Sequence, residues 1–484
     1  MWILCQFEGA SAAYNMPLQL QLSGDIDRQV LAAAFDLLIQ RHESLRTVFR
    51  ENEAEEVRQY ILDKESGQFE LQFVDVEREV NPEKRIGELV EKDVRMAFDL
   101  ANGPLLRACL FRCSAERSVL YFNMHHIIGD AWSLSVLSKE LQDLYGQLMA
   151  GQSLHQETLP FQYKDYASWQ QSRLESGALE ASKAFWCEQF AEEVPVLNFP
   201  TTRKRPLVKT HEGAGLSACI GRDNTKALQE FCRERGASLF MGLLTSVQAL
   251  LHRYTRQTEI TIGTVVAMRD MPELADQIGF YVNTLALKNT VEGTDSFESL
   301  FERMHTSSLE AFGHQQYPFD ELVQELKLPR DTSRDPLVDF LFSVENQSEL
   351  SLSSQGPFPG VISLGKGLAK QEIDLNVVEM GDHLRLELTY NTDLYTESQM
   401  TQFLQHFQRL LQAMLDNPTA AIGQFNYLTE QEQKRMLVDY NATAVPFSDD
   451  KTVVDLFQEQ ALRRPNATAV SDAKGMLTYQ QLAD

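Results

Sequence analysis

The run Met124-His125-His126-Ile127-Ile128-Gly129-Asp130-Ala131 sets two imidazoles and a carboxylate a few positions apart. Imidazole titrates near neutrality, so such a ring can accept or donate a proton, or hydrogen-bond an amine that attacks a carbonyl. Neighbouring residues on an extended segment point to opposite faces, so only one of the two histidines can face a given cleft. A metal reading would want i, i+4 spacing on a helix or further Cys, His or Asp ligands, and the local sequence offers only Asp130. No metal site is predicted. The competing reading makes one histidine a hydrogen-bonded core residue and Asp130 the cap of the following helix. On the residues alone the two readings stand even.

The elements around this run favour neither reading but give it a scaffold. Val119-Leu120-Tyr121-Phe122 predicts a buried strand, and Leu134, Leu137, Leu141, Leu144 and Leu148 form a helical stripe ending before Gly151. The histidines therefore fall at a strand-to-helix junction, where a rigid scaffold can aim side chains into a cleft. No Gly-x-Ser-x-Gly elbow supports a serine nucleophile, and Ser133 is assigned to the start of the helix. There is no glycine-rich phosphate loop and no Gly-x-Gly-x-x-Gly fingerprint, so nucleotide chemistry has no support in the main body.

Helical and strand patterns alternate along the chain. Val30, Leu31, Ala34, Leu37 and Leu38 recur at helical spacing, and Phe69 to Phe73 alternates as a half-buried strand does. Pro195 to Pro206 predicts a crossing loop. Beyond it, Asp223 is expected to cap a helix that stops at Gly236, followed by a helix over Leu239 to Tyr254 and a strand at Glu259 to Ile262. Thr396-Glu397-Ser398-Gln399 has capping-box spacing and opens a helix with Phe403, Leu404, Phe407, Leu410, Leu411 and Met414 inward, closed by Asn417-Pro418. The apolar start, Met1 to Phe7, predicts that the chain begins inside an element, and Asn441 to Asp450 has the composition of a linker. There is no internal repeat.

With 484 residues the chain exceeds the ~250–300 at which single cores stop growing, so two or more lobes are expected. The 69 acidic and 44 basic residues give a net charge of −25 without a basic, aromatic-interleaved stripe, which argues against nucleic acid. Six scattered cysteines form neither a disulfide framework nor a zinc pattern. No apolar run of about 18 residues and no charged leader is present, so the prediction is a cytoplasmic protein without a membrane partner.

Several motifs in order resemble those of the condensation domain of non-ribosomal peptide synthetases, over roughly Met1 to Tyr427. They are Arg41 to Phe49, Met124 to Ser133 against the family's His-His-x-x-x-Asp-Gly core, Tyr163 to Trp169, Ile278 to Thr284, His314 to Asp320 and Arg330 to Leu337. Two residues depart from the pattern: Ala131 replaces the usual Gly, and Gln316 replaces the usual acidic residue. A glycine-to-alanine change is unfavourable wherever the backbone needs a positive φ.

The resemblance implies an α/β (α+β sandwich) fold of two chloramphenicol-acetyltransferase-like lobes in a V-shaped pseudo-dimer, with a tunnel open at both ends. Lobes at 1–175 and 176–430, a linker at 431–450 and a truncated adenylation-domain start at 451–484 are expected. That last part is expected from Val454 to Phe457 and Leu477 to Leu482. By position, the resemblance makes His126 catalytic, with His125, Gly129, Asp130 and Arg269 shaping the site and Arg269 paired with Asp130. The implied reaction joins an acyl or peptidyl thioester to the amine of an aminoacyl thioester, in antibiotic or siderophore biosynthesis. Both groups ride on the phosphopantetheine of upstream and downstream carrier proteins, beside an adenylation domain and with no cofactor bound by this domain. His125 and the residues after it look most like the type that takes an L-configured donor. Two other classes remain: a non-catalytic docking module for carrier proteins, and an acyltransferase using a coenzyme A thioester.

Overall fold

The chain enters through a helical turn, α1 (Ala10–Ala13), and runs into strand β1 (Asn15–Ser23), whose Leu18, Leu20 and Leu22 are buried. The computed structural model describes residues 1–484 except 3, 7–9, 64–68, 153–157, 193, 330, 347–359, 364–366, 446–449 and 474. Ile3, Phe7 and Arg330, which figure in the sequence patterns, thus lie outside the described residues.

Helix α2 (Arg28–Arg41) begins where the Asp27 carboxylate accepts from the backbone N–H groups of Gln29 and Val30, and it buries Leu31, Ala34, Phe35 and Leu38. A hairpin of β2 (Thr47–Glu51) and β3 (Val57–Ile61) follows, then β4 (Leu71–Asp75), α3 (Pro82–Val94), β5 (Leu106–Arg112), β6 (Arg117–His125) and α4 (Ala131–Met149). The strand predicted at Val119–Phe122 is thus longer and reaches His125. Past α4, Gly151 takes a φ of +61°, which a residue without Cβ adopts at no steric cost.

Helices α5 (Tyr163–Glu175) and α6 (Glu180–Gln189) lead to an irregular stretch that contains Pro195 to Pro206. The second half then alternates β7 (Gly213–Ile220), α7 (Arg222–Glu234), α8 (Leu239–Thr255), β8 (Glu259–Ala267), β9 (Val282–Thr290), α9 (Phe297–Gly313), α10 (Phe319–Glu325) and β10 (Phe340–Asn346). It closes with β11 (Gly360–Ser363), β12 (Ile373–Glu379), β13 (Leu384–Asn391) and α11 (Glu397–Asp416). Two caps differ from expectation. Gly221 precedes α7 and Asp223 lies inside its first turn, where its charge favours the helix N-terminus without capping it. Thr396 caps α11 through Gln399 N–H, but the Gln399 amide donates to the Pro200 carbonyl instead of closing a capping box.

Two sheets organise these elements. The first has the order β11-β1-β6-β5-β4 and the second β7-β13-β12-β10-β8-β9. Along β6, Leu120, Phe122 and Met124 join one core with Leu31 and Phe35 of α2 and Leu137 and Leu141 of α4, while Val119 and Tyr121 pack with Ile86, Val90 and Val94 of α3. That alternation faces a sheet buried on both sides. In the second half, Phe340, Phe342, Ile373, Leu375, Val377, Leu384, Leu386 and Leu388 share one core with α8 and α11. Leu179 and Trp186, at and within α6, belong to that core too. Strand β11 is the exception to the division by sequence. It follows β10 of the second sheet, yet it pairs antiparallel with β1 of the first.

Contacts divide the chain into two compact units, Met1–Tyr427 and Leu428–Asp484. In the second, α12 (Glu430–Lys434) continues as a π-helical turn, Arg435–Asp439, so the first part of the expected linker is helical. Residues 446–449 of that linker lie outside the described ones. Helix α13 (Val453–Arg463), the hairpin of β14 (Thr468–Asp472) with β15 (Gly475–Thr478), and α14 (Tyr479–Ala483) complete the unit. Among the described residues, no helix is long and apolar enough to cross a membrane.

Phe403 of α11 is fully buried, with ring centroids of Phe199, Tyr254 and Phe340 at 5.6, 5.8 and 6.1 Å. Phe403→Ala removes a ring that no neighbour can replace. It is expected to cost about 3–5 kcal/mol, read as a lower midpoint of denaturant unfolding with the circular dichroism of the native state retained.

Candidate active site

The strand-to-helix junction after β6 is fixed from both directions. His125 ends the strand fully buried, and its N–H donates to the Leu105 carbonyl at 3.0 Å. His126 starts a tight 3-10 turn, and its own N–H donates to the Tyr14 carbonyl at 2.8 Å. The two rings then diverge. His125 lies edge-on to Phe98, with centroids 5.9 Å apart, and His126 lies edge-on to Phe280 at 5.2 Å.

Hydrogen bonds set the tautomer of each ring. The Nδ1 of His125 accepts from the Ile127 N–H at 3.1 Å, so its proton resides on Nε2, which lies 3.7 Å from the Cys5 sulfur. The Nδ1 of His126 faces the Gly129 carbonyl at 2.7 Å, and a carbonyl can only accept. Nδ1 therefore carries the proton, and Nε2 presents a lone pair. His126 as a residue is half-buried. Burial, and secondarily the charge of Lys370, push its pKa down to about 3. The same two causes push His125 down to about 4. Both rings are neutral near pH 7, and neither is a strong base.

Gly129 closes this turn for lack of space. Its φ of −169° is ordinary extended backbone, but a Cβ there would come within 2.4 Å of the Met124 methyl and 3.3 Å of the Ser133 Cβ. Ala131 is the first residue of α4 and has no positive φ, so the methyl that departs from the family pattern meets no backbone strain.

Asp130 is fully buried and performs two tasks. Its Oδ1 accepts from the backbone N–H and the hydroxyl of Ser133, at 2.8 and 2.7 Å, which caps α4. Arg269, just past β8, donates through Nη2 to Oδ1 at 3.1 Å and Oδ2 at 3.3 Å, and the Tyr281 N–H adds a bond of 3.1 Å to Oδ2. The other Arg269 nitrogen, Nη1, donates to the carbonyls of Leu274 and Gln277 at 2.6 and 2.8 Å, and the guanidinium lies 4.3 Å from the centre of the Tyr281 ring. Ser133, read from the sequence as a helix starter, also reaches into the second half. Its hydroxyl is 3.0 Å from the Gly279 carbonyl and 3.1 Å from the Gly279 N–H.

Three of the other motif segments, Arg41 to Phe49, Ile278 to Thr284 and His314 to Asp320, are joined by hydrogen bonds. Ser44 donates to the Ile278 carbonyl at 2.7 Å, and Gln162 bridges the Glu43 N–H and the Arg41 carbonyl. Asn283 donates to the Gln315 and Tyr317 carbonyls, each at 2.8 Å, and accepts from the Phe319 N–H. Gln316, where the family carries an acid, accepts from Arg173. Tyr14, Cys5 and Lys370 were not singled out from the sequence. Each lies far from the histidine pair in the chain, and none stands in a recognisable spacing with it.

A surface depression of about 580 Å³, lined by Arg205, Pro206, Leu207, Asp331, Thr332 and Ser333, shares no residue with this site. Among the described residues, no group of three or more His, Cys, Asp or Glu side chains could hold a metal ion.

The family model "Condensation domain" matches residues 1–437. The chain belongs to the condensation-domain family. Condensation domains of non-ribosomal peptide synthetases form the amide bond between carrier-bound substrates. This condensation domain is 35% identical over 483 residues to gramicidin S synthase 2 of Aneurinibacillus migulanus, covering 100% of the chain and 10% of that protein. It is 36% identical over 486 residues to tyrocidine synthase 3 of Brevibacillus parabrevis, covering 100% of the chain and 7% of that protein. It therefore spans about a tenth or less of the length of these curated relatives. Its fold matches that of a four-domain nonribosomal peptide synthetase bound to AMP and glycine, with a TM-score of 0.82 at 22% identity, over 99% of this chain and 37% of that one.

The domain's buried ion pair makes a measurable claim. Asp130→Ala and Arg269→Ala each leave a buried charge unpaired and are expected to cost about 3–5 kcal/mol. The double substitution should cost less than their sum, as a double-mutant cycle of denaturant midpoints will show. A second expectation concerns acid. A histidine whose folded pKa lies below its unfolded value of about 6.5 contributes stability that is complete above that pH and is lost as the pH falls toward the folded value. Between pH 6.5 and 4 the native chain should lose more melting temperature than His126→Gln, as thermal melts across that range will show.

Proposed function

We propose that this condensation domain joins an upstream acyl or peptidyl thioester to the amine of a downstream aminoacyl thioester, both tethered to carrier proteins by phosphopantetheine, with His126 at the reacting atoms. The observation that carries this reading is the His126 tautomer. Its Nδ1–H is held by the Gly129 carbonyl, which leaves the Nε2 lone pair to accept an N–H of the incoming amine.

In the reaction the amine nitrogen bonds to the thioester carbon, the carbonyl electrons move to oxygen, and the adduct collapses with loss of the pantetheine thiolate. The amine proton leaves with the thiol. Because His126 has a pKa of about 3, an imidazolium is disfavoured there, so the ring orients the amine and passes a proton on rather than storing it. The free amine is already a nucleophile. Holding two tethered reactants in line can itself supply up to roughly 7–11 kcal/mol of the barrier. His125, Gly129, Asp130 and Arg269 shape the site: they touch His126, its turn or the helix behind it.

The donor is proposed to be of L configuration, on the likeness of His125 and its following residues to that subtype. Residues 451–484 are proposed to begin an adenylation domain. The synthetase relatives match essentially the whole chain, whereas the condensation family model stops at 437. A reducing cytoplasm is the proposed compartment, supported by six cysteines that are all free.

His126→Ala should lower product formation from two loaded carrier proteins by at least about 100-fold, with the melting curve and circular dichroism of a folded protein. Mass spectrometry of the downstream carrier measures it. Unchanged turnover would refute the role of His126. Equal turnover with a free coenzyme A donor would favour the acyltransferase alternative.

A further inference from the structure

The face of the first sheet that packs α3 carries a second set of charged and aromatic groups. Tyr121, Asn123 and His125 alternate along β6 and so share that face, and Arg107 of β5 stands directly across from Asn123. Asp93, in the last turn of α3, gathers them. Its Oδ2 accepts from the Tyr121 hydroxyl at 2.6 Å and from the Asn123 amide at 2.8 Å, and its Oδ1 lies 2.7 Å from Arg107 Nε. Arg107 Nη2 donates in addition to the carbonyls of Asp93 and Met96, at 3.0 and 2.9 Å, where α3 ends. The guanidinium is thus held from several sides and referred to the strand that ends in His125.

Its remaining contact is with a ring. The guanidinium carbon sits over Phe98, 3.7 Å from the ring centre, at stacking distance. Phe98 is buried, and it is the ring that meets His125 edge-on at 5.9 Å and 83°. His125 in turn bonds to its own turn, where Nδ1 accepts from the Ile127 N–H two residues on. A bond so local lets ring and turn shift together. The orientation of the ring therefore depends on the aromatic groups packed about it, Phe98 and Tyr14, the latter with its centroid 6.4 Å away. Were His125 to rotate, Ile127 would lose its acceptor and the 3-10 turn that starts at His126 would lose its cap.

We propose that Arg107 is a positioning residue of the amide-forming reaction: stacked on Phe98, it braces His125 and thereby sets the turn from which His126 presents its Nε2 lone pair. The proposal rests on the reading of His126 above. Arg107 touches no reacting atom and carries no proton of the reaction. An ion pair that only anchored α3 to the sheet would need the charge of Arg107 and not its planar fork, and its loss would leave the histidine rings as they are. Lysine separates the two roles, because it keeps the charge opposite Asp93 but neither stacks nor forks.

Kinetic assays of the full chain with loaded carrier proteins, together with nitrogen-15 NMR spectra of its labelled histidine rings near pH 7, test the proposal with Arg107→Lys and Phe98→Leu. Both substitutions should lower kcat about 10- to 100-fold with KM little changed. In both, the ring signals of His125 and His126, each a single tautomer in the unsubstituted chain, should move to values averaged over two tautomers. Circular dichroism and melting curves identify the folded variants, and with two sites substituted, loss of folding at one leaves the contact readable at the other. Unchanged kcat in a folded variant overturns the proposal. So does a lowered kcat with the ring signals of the unsubstituted chain, which would place the effect elsewhere. Absence of product with the unsubstituted chain overturns the amide-forming reading instead, and the ring spectra still show whether Arg107 sets the His126 ring.

Discussion

The contact between Asp130 and Arg269 is the constraint on which the rest of the site depends. A carboxylate with no exposed surface must have its lone pairs filled. Here they are filled by the start of α4 in the first half and by Arg269 and Tyr281 in the second. The helix that follows the histidines, the end of β8 and the entry to β9 are therefore tied through one carboxyl group. His126 belongs to that arrangement through Gly129, whose carbonyl holds the ring and whose next residue is Asp130. Displacing the carboxylate would move the turn, and moving the turn would release the imidazole.

The chemistry uses weak groups in a strong arrangement. His126, neutral and reluctant to take a proton, suits a reaction in which the nucleophile is already competent and the difficulty lies in bringing two tethered groups into line. Depressed basicity has a use there: an imidazolium would repel the ammonium-like nitrogen that develops as the C–N bond forms. The aromatic surroundings of both rings, Phe98 for His125 and Phe280 for His126, limit their rotation without offering competing hydrogen bonds.

Much of this could be read from the chain because the signals are local. The apolar run of β6, the leucine stripe of α4 and the spacing of Asp130 ahead of it define the junction, and the stripe from Phe403 to Met414 defines α11. What could not be read depends on residues distant in sequence. Ser133 looks like any helix-initiating serine until Gly279 is brought against it. Gln399 has the spacing of a capping box, but the Pro200 carbonyl lies within its reach and takes the bond. Lys370 carries no local pattern, since its place is set by backbone pairing with His211 to Gly213. The pairing of β11 with β1 is equally silent, because four short extended residues do not specify a partner.

That pairing bears on how the polypeptide matures as it is made. Until residues near Ser363 have emerged, β1 has no neighbour on its outer side, and its unpaired N–H and C=O groups form an open sheet edge. The first sheet cannot reach its final number of strands until most of the second has been synthesised. The nascent chain therefore has to protect, for much of its elongation, an edge that invites pairing with another chain.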